Sequence, residues 1–81
     1  MRFIWPESAR NELRAVDRQT AIRILHALTE YGDSGVGDVR ALAGAWQGNF
    51  RLRIGDYRVI FTVAPDEITV IRVRHRSEAY R

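Results

Sequence analysis

The residues able to do chemistry gather after residue 50: Arg51, Arg53, Arg58, Arg72, Arg74, Arg76 and Arg81, with His75 and Tyr80 among them. Guanidinium groups grip phosphate oxygens through paired N–H donors and keep their charge at every accessible pH. The chemistry they suit is holding a polyanion, RNA above all, and stabilising negative charge that grows on it. His75 stands between Arg74 and Arg76, and Tyr80 sits close in sequence to the same cations, so either is a candidate proton acceptor. RNA carries its own nucleophile, the 2′-hydroxyl. Cleavage through it needs a base for that proton, cations for the charge on phosphorus, and an acid for the leaving oxygen. Arginines with one tyrosine cover much of that list without metal. Tyr80 also suits stacking on a nucleobase. Each has a plainer alternative: a tyrosine ring that pins a tail to the core, and a histidine that only ends a strand.

The remaining composition narrows the class. A chain of 81 residues predicts one domain over 1–81 with a thin core. Without cysteine there is no disulfide framework and no thiolate metal site. The two histidines, His26 and His75, are not spaced as metal ligands, and His26 reads as a helix surface or boundary residue. Phosphate-cradling glycine loops and nucleophilic serine motifs are absent, so neither metal nor cofactor is expected. Met1 to Pro6 lacks the apolar run of a signal peptide, and no stretch approaches membrane-spanning length. A cytoplasmic address with no membrane partner is the expectation.

The formal charge of +3 is unevenly spread. Six arginines meet six acids from Met1 to Ala43, whereas seven arginines face four acids from Gly44 to Arg81. That asymmetry has the form of a nucleic-acid footprint. Every basic side chain is arginine, which fits both bidentate phosphate binding and a GC-rich coding sequence.

The elements that must position these groups follow from periodicity. Arg2 to Trp5 alternates as a short strand with Phe3 and Trp5 on one side, and Pro6 suits the first turn of a helix. Ala9, Leu13 and Val16 form the apolar side of that helix, with Arg10, Glu12 and Arg14 opposite. Asp17 is the N-cap of a second helix that runs to about Tyr31 and stops at Gly32. Its apolar stripe is Ala21, Ile22, Leu25 and Leu28, widened by Ile24 and Tyr31. Gly32 to Gly48 reads as a loop anchored by Val39, Leu42 and Trp46. Phe50 to Ile54 and Tyr57 to Val63 alternate about Gly55-Asp56, a type II′ hairpin turn. A third strand, Ile68 to Arg74, completes a meander. The fold class is therefore α+β: a small antiparallel sheet, built of the N-terminal strand and the C-terminal three-stranded meander, against an N-terminal helical hairpin.

The two-residue turn sets the hairpin register: Ile54 faces Tyr57, Arg53 faces Arg58, Leu52 faces Val59 and Phe50 faces Phe61. One face is then apolar and the other holds Arg51, Arg53 and Arg58. Opposed like charges destabilise a sheet by roughly 0.2–1 kcal/mol, so stability alone does not favour Arg53 against Arg58. A solvated outer face is the plainer reading of these arginines. For the third strand, an odd-length turn places Thr69, Ile71 and Val73 in the core and Ile68, Val70, Arg72 and Arg74 on the arginine face. An even turn buries Arg72 and Arg74, which is costly without partners. A five-residue turn puts Arg74 opposite Arg58.

Leu42-Ala43-Gly44, Phe50-Arg51-Leu52-Arg53-Ile54, Gly55-Asp56-Tyr57-Arg58-Val59-Ile60-Phe61 and Val73-Arg74-His75-Arg76-Ser77-Glu78-Ala79-Tyr80-Arg81, in that order, resemble the RelE branch of the RelE/ParE toxin superfamily. The order of elements fits as well. The resemblance implies a type II toxin, an endoribonuclease that cleaves messenger RNA in the ribosomal A site and is held inactive by a cognate antitoxin. Its partners are then that antitoxin and the ribosome with bound mRNA. By position, Tyr80 matches the tail tyrosine, the family's general base. Arg74 matches a candidate acid, and Arg51, Arg53 and Arg58 match the phosphate-holding and charge-stabilising set. Arginine is a poor acid because its guanidinium holds its proton too tightly to give it up, so Arg74 is read as an electrostatic stabiliser. Arg72, Arg76 and Arg81 extend the RNA-contacting surface. Arginines stand where the family commonly has lysines, and His75 can share or replace the role of Tyr80. Two alternatives stay open: a ParE-like gyrase inhibitor without RNase activity, and an inactive relative that only binds its antitoxin.

Overall fold

Short polar and glycine punctuation divides the chain into a first short strand, two helices and further strands, and the computed structural model, which describes residues 1–81, shows how they assemble. In chain order the elements are β1 (Arg2–Ile4), α1 (Glu7–Ala15), α2 (Arg18–Ser34), β2 (Val39–Ala41), β3 (Phe50–Ile54), β4 (Tyr57–Ala64) and β5 (Glu67–His75). A single 3-10 turn at Gly44–Trp46 lies between β2 and β3. The α+β class and the helical hairpin match the sequence reading. The sheet itself is mixed and five-stranded, in the order β1-β5-β4-β3-β2.

Two strand features were not legible. The segment read as a loop contains β2, whose Val39, Arg40 and Ala41 pair antiparallel with Leu52, Arg51 and Phe50. Three residues are too few for alternation to show, so the strand is specified by the β3 edge it meets. At the other edge β1 joins β5 in parallel, with Phe3 beside Ile68. Parallel pairs need a long crossover, and the helices with the meander supply it.

Asp17 caps α2 as its sequence position predicts, accepting a hydrogen bond from the Thr20 backbone N–H at 3.0 Å. The helix does not stop at Gly32. It continues to Ser34 and ends at Gly35, whose φ of 75° is the left-handed conformation that glycine adopts without a Cβ clash. Gly32 is small for packing: a Cβ there would lie 2.9 Å from the Phe3 ring. The buried stripe of α2 is Ile24 and Leu28, with Ala27 and Tyr31 partly covered. Ile22 and Leu25, expected in that stripe, are 43% and 41% exposed. Only one narrow side of α2 meets the sheet, because the small sheet offers no surface to cover the rest.

The core lies between the helices and one sheet face, formed by Ala9, Ile24, Leu28, Leu52, Val59, Phe61, Ile68, Val70 and Val73. Phe61 stacks on Phe50 and tilts against Tyr31, with ring centroids 5.8 and 5.6 Å apart. The β3–β4 register is the one the turn dictates, Arg53 opposite Arg58 included. Gly55 alone of the two turn residues has positive φ, at 56°, in keeping with type II′.

The β4–β5 connection corrects the parity argument. Its turn is Pro65-Asp66, two residues, with Ala64 paired to Glu67. An even turn puts Ile68 and Val70 in the core and Thr69 outside. Burial of Arg72 and Arg74 is then avoided by a β-bulge: Phe61 pairs with Val70 while Ile60 pairs with Arg72, so Ile71 is the extra residue. Past the bulge the alternation inverts, and Val73 points inward while Arg72 and Arg74 share the outer parity. Ile71, expected in the core, is exposed.

Candidate nucleic-acid interface

On the sheet face away from the helices, register alone builds two rows of arginine. Arg40, Arg51 and Arg72 lie across β2, β3 and β5, with Ile60 of β4 between the last two. Arg53, Arg58 and Arg74 form the second row on β3, β4 and β5. Neighbouring strands are about 4.8 Å apart and alternate residues on one face about 7 Å apart, so the positive charge is dense.

Side chains then sort these residues into different places. A basin of about 330 Å³ is lined by Asp38, Arg40, Arg51, Arg53, Arg58 and Tyr80. Four arginines thus share the basin with one acid and one tyrosine. Arg51 is nearly enclosed, its side chain 11% exposed, and it contacts the Asp38 carboxylate and backbone carbonyl at 3.4 Å. Arg58 donates from Nη1 to the carbonyls of Gly55 and Tyr57 at 2.9 and 3.0 Å, which braces it against the hairpin turn. None of the chain's ion pairs engages Arg40, Arg53 or Arg58. Tyr80, in the tail beyond β5, is 47% exposed at the rim. Arg40 and Asp38 were missed by sequence reasoning. The only signal for Arg40 was a β-branched residue preceding an arginine between glycines, which is too little to predict a strand.

Arg74 and His75 lie elsewhere. Arg74 is directly opposite Arg58 in register, yet its guanidinium turns round the sheet edge to Glu12 of α1, with Nη2 and Nε at 2.9 and 3.0 Å from Oε2. The other Glu12 oxygen accepts the Val73 backbone N–H at 2.7 Å. Glu12, assigned by helical spacing to the solvent side, therefore caps an unpaired stretch of β5. His75 has the opposite parity from Arg74. Its ring meets Tyr57 edge-on at 5.7 Å and its Nδ1 lies 2.9 Å from the Ser77 hydroxyl. Both residues line a second cleft of about 370 Å³ with Glu12, Tyr57 and Glu78. His75 and Tyr80 are thus assigned to separate hollows.

The three other arginines are engaged within the tail region. Arg72 stacks its guanidinium carbon 4.7 Å from the Trp46 ring centroid and donates from Nη1 to the backbone oxygens of Ala79 and Arg81. Arg76 is 3.9 Å from Asp56 and Arg81 is 3.5 Å from Glu78, both pairs well exposed. No cluster of metal-ligating side chains is present. No helix is long and apolar enough to cross a membrane.

Comparisons with known proteins agree with this architecture. No curated protein matches the chain in sequence. Among solved structures, the RelE–RelB complex of Pyrococcus horikoshii OT3 superposes with a TM-score of 0.76 at 25% identity, covering 96% of this chain and 97% of that one. The RelB–RelE antitoxin–toxin complex of Methanococcus jannaschii gives 0.74 at 24% identity, with 91% of each chain covered. The YoeB–YefM complex of Staphylococcus aureus gives 0.77 at 14% identity, covering 93% of this chain and 95% of that one. The family model for the ParE toxin of the type II toxin–antitoxin system parDE matches residues 3–80. With nearly its whole length matched and the fold shared, the chain belongs to the ParE toxin family of type II toxin–antitoxin systems.

Proposed function

We propose that this toxin is a metal-independent endoribonuclease that cuts messenger RNA in the ribosomal A site and is held inactive by a cognate antitoxin. The observation that carries the reading is the basin in which Arg40, Arg51, Arg53 and Arg58 converge with Tyr80. In that basin Tyr80 is the base. Acting as the phenolate, it takes the proton of a 2′-hydroxyl and becomes the phenol, the 2′-oxygen bonds to the adjacent phosphorus, and the bond from phosphorus to the 5′-oxygen breaks. The products are a 2′,3′-cyclic phosphate and a 5′-hydroxyl. Arg58, braced on the turn, and Arg51, held by Asp38, are pre-placed donors for the phosphorane charge, since a fixed donor needs no reorganisation during reaction. Arg40 and Arg53, without ion-pair partners, hold flanking phosphates. The leaving 5′-oxygen draws its proton from water, because arginine is too weak an acid. The antitoxin assignment is supported by the complexes with RelB and YefM among the similar structures. RelE-type toxins, which the sequence resembles, act on ribosome-bound message, and that supports the ribosome as the second partner.

A gyrase-inhibiting role is the second reading, favoured by the match to the ParE family model itself. The two separate in one experiment. Purified protein is added to translating ribosomes and 5′ ends are mapped on the message, in parallel with a gyrase supercoiling assay. Codon-phased cleavage with unaffected supercoiling is the expected result. Blocked supercoiling without cleavage would establish the inhibitor instead.

A further inference from the structure

The outer face of the sheet is not uniformly polar. Ile60, on the central strand β4, is fully buried there, as is Ala79 of the tail, and neither belongs to the main core between sheet and helices. The segment after β5 therefore folds back over the arginine face. Its amides close two successive turns, Glu78 N–H to the His75 carbonyl at 2.8 Å and Arg81 N–H to the Glu78 carbonyl at 3.3 Å. Such a short tail has little apolar surface with which to hold itself down.

Arg72 supplies the fastening. It is the cross-strand partner of Ile60, so its side chain rises beside the one apolar spot the tail covers. One Nη1 donates to the backbone oxygens of Ala79 at 2.9 Å and of Arg81 at 2.6 Å, spanning the residue that matters, Tyr80. The guanidinium plane meets Trp46 from the 3-10 turn at 4.7 Å, a cation–π contact that holds the donor in place. Trp46 is itself set by the tight turn between Gly44 and Gly48, whose positive φ values of 64° and 92° reverse the chain on either side of it.

We infer that Arg72 and Trp46 form a clamp that seats the tail and aims Tyr80 into the basic basin, so that Arg72 is a positioning residue and not a phosphate ligand. The catalytic part of this inference rests on the endoribonuclease reading; the mechanical part does not. Its logic is geometric: fixing the backbone oxygens on both sides of Tyr80 fixes the direction of its side chain without touching it.

The test uses the full chain with Arg72→Gln and, as an independent lesion, Trp46→Ala. Amide hydrogen exchange at Glu78 and Arg81 reports the tail directly, with the β3–β4 amides as the control for folding. Both variants are expected to lose tail protection while the hairpin stays protected, and Arg72→Lys to restore it in part. Cleavage on translating ribosomes is expected to fall about 100-fold in Arg72→Gln, the scale of loss from misplacing a reacting group by about 1 Å. In a Tyr80→Phe background the same change should cost little more, since both act through one group. Binding of a single-stranded RNA oligonucleotide should keep its salt dependence, whereas loss of a phosphate contact would reduce the log–log slope by about 0.7. Unchanged tail exchange in both variants overturns the clamp whatever the RNA assays give. A reduced slope with an intact tail assigns Arg72 to phosphate instead. If the parent protein cuts no RNA, the endoribonuclease reading fails while exchange still decides the clamp.

Discussion

Tyr80 and His75 pose the sharpest question at the scale of single residues, because five positions apart either type of side chain can act as a base, yet the two lie in different hollows. Tyr80 shares its hollow with four arginines; His75 shares one with Glu12, Arg74 and Tyr57. With Tyr80 as the base, Tyr80→Phe should lower the cleavage rate about 10²–10⁴-fold, the usual contribution of a positioned acid or base. His75→Ala should leave that rate within a few fold. Single-turnover cleavage on ribosome complexes reads both, and the reverse ranking would move the base to His75. Arg53 is exposed and outside every ion pair, so under the endoribonuclease reading it would contribute bare charge toward RNA. Arg53→Ala should weaken oligonucleotide binding and reduce the salt slope by about 0.7, measured by titration at several salt concentrations.

Secondary elements are held by polar contacts that periodicity shows only in part. Asp17 was visible as a cap. Bonds from the Thr20 side chain, then from its backbone N–H, hold its carboxyl below the ordinary value of 3.8. A carboxylate lowered on folding adds stability that is fully present above its unfolded pKa and disappears as pH falls through the folded one. Asp17→Ala should therefore lower the thermal midpoint near neutral pH, and the gap from the parent should narrow as pH falls below the ordinary carboxyl value of 3.8. Asp17→Asn, which keeps a capping acceptor, should show a smaller gap near neutral pH. Glu12 was not legible, since helical spacing placed it outward and nothing in the sequence announced an open β5 edge. Its partly exposed pair with Arg74 is worth little; the Val73 amide it satisfies matters more. Glu12→Ala should cost about 1–3 kcal/mol, the range for stranding a covered backbone donor, read as a shift in the urea midpoint.

Across the molecule, a thin core leaves few residues to hold the sheet to the helices. Phe61 touches both aromatic neighbours and is fully buried at the centre of the sheet. Phe61→Ala should cost about 3–5 kcal/mol, a large part of the roughly 5–15 kcal/mol typical of small domains, and chemical denaturation should show it as a marked loss of midpoint. The arginine face depends on that same sheet, so RNA binding should fail along with folding in this variant, unlike in Arg53→Ala.

The sequence by itself determined the α+β class, the helical hairpin, the Asp17 cap and the β3–β4 register with Arg53 against Arg58. All of these follow from local rules: period, capping chemistry and the length of a glycine-led turn. Its ordered motifs also pointed to the toxin superfamily. Tertiary structure decided the rest. The bulge at Ile71 is invisible locally because it resolves a conflict between a two-residue turn and the need to keep Arg72 and Arg74 out of the core. β2, the parallel docking of β1 and the arrival of Arg40 in the basin depend on edges that exist only once the sheet has formed. Tyr80 joined the basin, while Arg74 and His75 left for a second cleft, because side chains on one strand end go where partners from distant segments receive them: Trp46 and Arg72 for the tail, and Glu12 for Arg74.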